Sequence, residues 1–171
     1  MMNRSNATTA SNQAIAMHVY DAPRETVFKA WTEQDRLASW FGPKGFTMVS
    51  AKLDLRPGGT FRYCLRSPEG REMWAKFVYR EIAAPKRLVF VLSFSDKDGN
   101  TVRSASTPDW PLELLMTVTF EEHQGKTVVT IHGNPINATD VEQKVYAAGY
   151  EPMQSRWART LNELADYLAR A

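Results

Sequence analysis

The sequence predicts an α+β fold: a curved antiparallel sheet of about seven strands wrapped around a long C-terminal helix, with two short helices between the first two strands. Three observations predict it. Apolar residues alternate with polar ones in successive runs from Phe46 to Gly133, joined by short turns bearing Pro or Gly. Near the C-terminus the apolar residues recur at helical steps instead. Between the first strand and the rest lies WTEQDRLASWFGPKGF (31–46), an aromatic-rich piece too short and too interrupted to bury its own rings.

In the first strand, AIAMHVYD (14–21), Ile15, Met17 and Val19 alternate with Ala16, His18 and Tyr20. Asp21 or Ala22 is expected near the cap of the next helix, with Pro23 in its first turn, where the missing N–H costs nothing. Val27, Phe28 and Trp31 give that helix one apolar face. Thr32 is expected to cap a second helix carrying Leu37, Trp40 and Phe41 on one side, and Gly42-Pro43 ends it.

The strands then read FTMVSAKLDL (46–55), TFRYCLR (60–66), EMWAKFVYREI (72–82) and RLVFVLSFS (87–95). After the polar loop DKDGNTVRSASTPD (96–109), LELLMTVTFEE (112–122) and KTVVTIHG (126–133) make a last hairpin. Such tight spacing favours sequential antiparallel pairing. Thr139 and Glu142 form a capping-box pattern. Apolar residues follow at Val141, Val145, Ala148, Met153, Trp157, Leu161, Leu164 and Leu168. Gly149 and Pro152 predict a kink or break near 149–152. Only this last helix is long enough to cover the apolar face of such a sheet.

Composition excludes several function classes. The chain has 171 residues, 43% hydrophobic and 23% charged, with a net charge of +2. No basic run or stripe is present, which argues against a nucleic-acid partner. No apolar run reaches the ~20 residues a membrane helix needs, so no membrane partner is expected. Cys64 stands alone, and no His is spaced with another His, Cys or carboxylate as a ligand, so neither a metal nor another cofactor is expected. Residues 1–12 read as a disordered tail without an apolar h-region, and 13–171 as a single domain in the cytoplasm.

Several pieces carry a resemblance: DAPRETVFKAWTEQDRLASWFGP (21–43), DLRPGGTFRY (54–63), PEGREMW (68–74), EIAAPKRLVF (81–90), DWPLELLMTVTFEE (109–122), GKTVVTIH (125–132) and RWARTLNELADYL (156–168). In this order they resemble the family named after the activator of the 90-kDa heat-shock-protein ATPase, within the START-like, helix-grip (SRPBCC) superfamily. The resemblance implies a seven-stranded sheet curled around the C-terminal helix with a cavity between them. It also implies one of several roles: binding of lipids, hormones or polyketides, or assistance to a chaperone.

Strand phase points Met48, Phe61, Tyr63, Met73, Phe77, Phe90, Leu92 and Met116 toward such a cavity, with Phe94, Leu114, Val118, Val129 and Ile131 on the same face. The helix offers Tyr146, Tyr150, Met153 and Trp157, while Trp31, Trp40 and Phe41 roof one end. A filled core is the alternative, because interiors pack densely. Asp54 and Arg56 are polar-anchor candidates, or else serve the adjoining Pro57-Gly58-Gly59 turn and a surface pair. His18 and His132 are expected on the outer face and His123 in a hairpin loop; no catalytic residue is assigned. Arg156, Arg159 and Lys144 read as a solvated helix face. Trp110 either gates the pocket or pins the long loop. The reading is a non-catalytic carrier or sensor of a small, largely apolar molecule. A cyclase-, dehydratase- or hydrolase-type enzyme and a co-chaperone are the alternatives.

Overall fold

The computed structural model describes residues 14–170. The expected tail and the outer limits of the expected domain lie outside them. In chain order the elements are β1 (Ala14–Tyr20), α1 (Arg24–Thr32), α2 (Gln34–Trp40), β2 (Thr47–Leu53), β3 (Thr60–Arg66), β4 (Glu72–Ala83), β5 (Arg87–Phe94), β6 (Leu114–His123), β7 (Lys126–Pro135), α3 (Asp140–Ala148) and α4 (Tyr150–Arg170). The strands form one curved antiparallel sheet in the order β1-β7-β6-β5-β4-β3-β2. β1 and β2 are neighbours in sequence but opposite edges of the sheet. The connection between them must therefore cross its full width, which is why α1 and α2 close one end.

Local chemistry explains most boundaries and corrects a few. Pro23 is itself the N-cap of α1, with no side-chain cap bond. Glu33, not Thr32, caps α2; the Thr32 hydroxyl donates back to Phe28 O at 2.8 Å instead. The expected capping box is present: Thr139 Oγ1 accepts from Glu142 N at 3.1 Å and Glu142 Oε1 accepts from Thr139 N at 2.9 Å. The helical run breaks at Gly149, and Met153 N donates to Gly149 O at 3.2 Å to restart it. Pro152 falls in the first turn of α4, where no intrahelical donor is missed. The break also resets the helical phase. α3 turns Glu142 and Tyr146 inward, and Val141, expected on the buried face, is 56% exposed.

A bulge between Ala14 and Ala16 likewise shifts the phase of β1. Ile15 and Tyr20 are buried while Met17 and Val19 are exposed. His18 therefore shares a face with Tyr20, their rings 4.5 Å apart, rather than the outer face expected for it. Burial lowers the His18 pKa. His132, on β7, alternates away from buried Val129 and Ile131 as expected. α4 lies along the β1 side of the sheet, where Tyr20 Oη donates to Leu161 O at 2.7 Å.

The aromatic piece at 31–46 packs into the closed end. Trp31 meets Trp40 edge-on at 5.0 Å and Phe120 of β6 at 6.2 Å, and it is almost completely buried. Trp40 Nε1 donates to Ala30 O at 2.8 Å, which satisfies the one polar atom of that ring. Replacing Trp31 by Ala leaves a cavity between α1, α2 and β6. The expected loss is about 3–5 kcal/mol in equilibrium urea unfolding.

Candidate ligand cavity

Cross-strand pairing sorts the concave face into rows. One row is Tyr79, Phe90 and Met116. The next is Phe61, Phe77, Leu92 and Leu114, then Tyr63, Ala75 and Phe94, and last Leu65 and Met73. Rings fill the first row and the β3–β4 half of the second, with Phe77 of the second stacked on Phe90 of the first at 3.9 Å. The rows beyond it carry Ala75 between Tyr63 and Phe94, and there the packing opens. A cavity of about 530 Å3 lies against these outer rows. Met73, Leu92 and Phe94 point into it and are only half-buried, so it communicates with solvent.

Four other parts of the chain complete the wall. Phe41, Gly42 and Pro43 follow α2. Gly42 has φ +120°, and a Cβ there would stand 3.0 Å from Leu65, so the link hugs β3 only as glycine. The loop between β5 and β6 contributes Ser104, Ser106, Thr107, Trp110, Pro111 and Leu112. Val145, Ala148 and Gly149 come from the helix break, and α4 adds Pro152, Met153, Arg156, Trp157 and Thr160.

Eight of the residues expected on the cavity side line this space: Phe41, Tyr63, Met73, Leu92, Phe94, Leu114, Met153 and Trp157. Phe61, Phe77, Phe90 and Met116 do not. They face the expected way but belong to filled positions further in, and each is almost completely buried. Trp40 packs behind Phe41 against Trp31, at 5.5 Å and 5.0 Å between ring centres. Met48 is half-buried on edge strand β2, away from the cavity. The Tyr146 hydroxyl is committed to Gly133 O at 3.2 Å, and Tyr150 packs edge-on against Tyr146 at 5.9 Å. Asp54 and Arg56 form an exposed pair with each other at 3.0 Å, remote from the lining.

Beyond Trp110, sequence reasoning missed the rest of the long loop, and it missed the place of Arg156 at the rim. Arg156 is exposed, as expected of a solvated helix face, but it also stands at the cavity rim: it follows Met153 by three positions and precedes Thr160 by four. That spacing puts it on the cavity stripe. Burial pushes the Tyr63 phenol well above its ordinary range and Tyr79 adds to this, while the positive charge of Arg156 partly offsets it. Tyr63 is neutral at physiological pH, and its hydroxyl has no hydrogen-bond partner among the described residues. No group of three or more His, Cys, Asp or Glu side chains suited to a metal occurs among the described residues. No described helix is long and apolar enough to cross a membrane.

The long loop is tied down at two points, its middle and its far end. Arg103 pairs with Glu142, inside the capping box of α3. Trp110 lies 5.4 Å from the Tyr146 ring, and a Cβ on Gly149 would stand 2.9 Å from its Cζ3. Trp110 thus both pins the loop and forms part of the cavity wall.

A curled sheet gripping a terminal helix over a lateral cavity defines the helix-grip, START-like class. The family model "Activator of Hsp90 ATPase homolog 1-like protein" matches residues 21–169, and the chain belongs to that family. Solved structures agree on the fold. Protein Ms6760 from Mycobacterium smegmatis is 23% identical with a TM-score of 0.69, over 89% of this chain and 87% of that one. A protein from Arthrobacter aurescens is 22% identical with a TM-score of 0.73, over 91% and 84%. The AHSA1-like protein from Aeromonas hydrophila is 20% identical with a TM-score of 0.60, over 90% and 91%. No curated protein matches the chain.

Two measurements check the loop anchoring. Gly149→Ala displaces the Trp110 indole, so acrylamide quenching of tryptophan emission rises, and the rise vanishes in a Trp110→Phe background. Glu142 is held below its ordinary value of 4.5, chiefly by the Thr139 backbone N–H and then by Arg103. A depressed carboxylate stabilises the fold above its unfolded value and loses that contribution as pH falls through the folded one. Glu142→Gln is therefore less stable than the parent at neutral pH, and urea titrations show the difference shrinking as pH drops below 4.5.

Proposed function

We propose that the protein binds a small, largely apolar molecule in the cavity between the sheet and the C-terminal helix, as a carrier or sensor. The observation that carries this is an open space of about 530 Å3 walled mainly by apolar side chains. Ligand pockets commonly measure about 300–1,000 Å3. Apolar burial contributes about 25 cal/mol per Å2, so covering ~200 Å2 of a guest supplies ~5 kcal/mol before the cost of immobilising it.

Acid–base turnover of a polyketide-like substrate would need a carboxylate or imidazole within hydrogen-bond reach of the guest. No Asp, Glu or His is part of the lining among the described residues, and the Tyr63 phenol is held protonated. These observations favour binding over acid–base chemistry. A chaperone partner, suggested by the family's description, would be met on the outer surface. It predicts stimulation of a chaperone ATPase that cavity-filling variants leave unchanged. A cytoplasmic setting fits a chain whose cysteine, Cys64, is a buried free thiol.

Native mass spectrometry of gently purified protein is expected to show a co-purifying small molecule. Met73→Trp and Leu92→Trp are expected to weaken Nile red uptake at least tenfold while costing less than about 1 kcal/mol of stability, since filling a void is tolerated where overpacking a dense core costs about 1–3 kcal/mol. Outright unfolding of both variants, or unchanged uptake, overturns the proposal.

A further inference from the structure

One charged side chain reaches the cavity wall: among the described lining residues only Arg156 carries a formal charge, and it is a cation. It is also uncompensated. Arg156 has no carboxylate within 4.0 Å among the described residues; Arg62, Arg71, Arg80, Arg159 and Arg170 lack one as well, but none of them lines the cavity. Some of the lining hydroxyls are engaged, while those of Ser93 and Thr107 have no described partner. Thr160 Oγ1 donates to Arg156 O at 3.0 Å, and Ser104 Oγ accepts from Thr107 N at 3.1 Å. Tyr63, across the cavity, keeps its hydroxyl free of described partners.

We infer that the guest carries one carboxylate at the end of an apolar body, with the carboxylate on the Arg156 guanidinium, the Tyr63 hydroxyl as a second donor, and the body lying against Ala75, Leu92 and Phe94. This rests on the proposed reading of the cavity as a binding site and names the chemistry of its ligand. A guanidinium presents two parallel N–H donors in a plane, which match the two oxygens of a carboxylate. Arg156 is exposed on its outer side, so the charged head sits at the mouth without full desolvation, while the tail occupies the dry rows within. An ammonium head in the same place meets an unshielded positive charge.

The test compares three heads on one tail. Decanoate, decanol and decyltrimethylammonium each compete with Nile red for the wild-type protein at neutral pH. Decanoate is expected to bind about tenfold tighter than decanol, a difference of about 1.4 kcal/mol, and the ammonium compound more weakly than either. Arg156→Gln should bring decanoate within about twofold of decanol through a loss several times larger for decanoate than for decanol; Arg156→Lys should keep part of the preference, as a point charge without the fork. Equal wild-type affinity for decanoate and decanol overturns the inference and leaves the binding reading standing. So does an equal loss for both compounds in Arg156→Gln. Failure of all three to displace the dye overturns the binding reading and the inference together. Thermal melts confirm that the variants fold, and the wild-type comparison of heads decides the question without them.

Discussion

Width is the constraint on which the rest of this structure depends. Six inter-strand steps of about 4.8 Å make a seven-stranded sheet about 29 Å across, and one helix is about 10–12 Å thick. A single helix cannot cover such a face. The sheet curls toward α4, and α4 settles along β1, where Tyr20 reaches the Leu161 carbonyl. The uncovered half, over β3 to β5, is closed by whatever the chain can bring from elsewhere. Trp31, Trp40 and Phe41 fill one end of it, and the helix break and the β5–β6 loop roof the other. Closure by separate pieces is looser than closure by one element, and the residual gap is the cavity.

Those closing pieces are coupled to one another. The α3 capping box holds Glu142, Glu142 holds Arg103, and Arg103 lies in the loop that carries Trp110 onto Gly149. A chain of this kind, built from a few part-buried polar contacts and one indole, opens at lower free energy than the aromatic rows beneath it. Under the proposed binding reading, a guest enters over the β5–β6 loop rather than through the sheet. The rigid wall and the movable wall have different chemistry: rings stacked in cross-strand rows on one side, short hydroxyl side chains on the other.

Much of the architecture was legible in the sequence because alternation and helical spacing report directly on which face a residue presents. The seven strands, both short helices, the capping box and the break at Gly149 all follow from local pattern. What alternation cannot report is depth. Phe61, Phe77, Phe90 and Met116 have the same phase as Met73 and Leu92, yet Phe90 and Met116 fall in a filled row and Phe61 and Phe77 occupy the filled half of the row that Leu92 and Leu114 carry to the cavity, and such pairing is a property of strands taken together. The β1 bulge escaped for a related reason, since one inserted residue exchanges the faces without altering composition. Arg156 was hidden because a charge on an amphipathic helix reads as solvent-facing until the neighbouring wall is known to be missing.

Fold and ligand choice are consequently separable in this molecule. Solved structures sharing 20–23% of its residues keep the grip, so the grip tolerates replacement of most side chains. The outer rows are where replacement is cheapest. Ala75, Met73 and Leu92 need only be apolar and inward to preserve the sheet, but their volumes set the shape of the hollow. A single cation at the rim adds polarity to that shape without placing a charge in the low-dielectric interior, where it would cost several kcal/mol unless paired. On the proposed reading, what the cavity would recognise is written in a few positions that folding leaves free, and a shared fold carries no information about them.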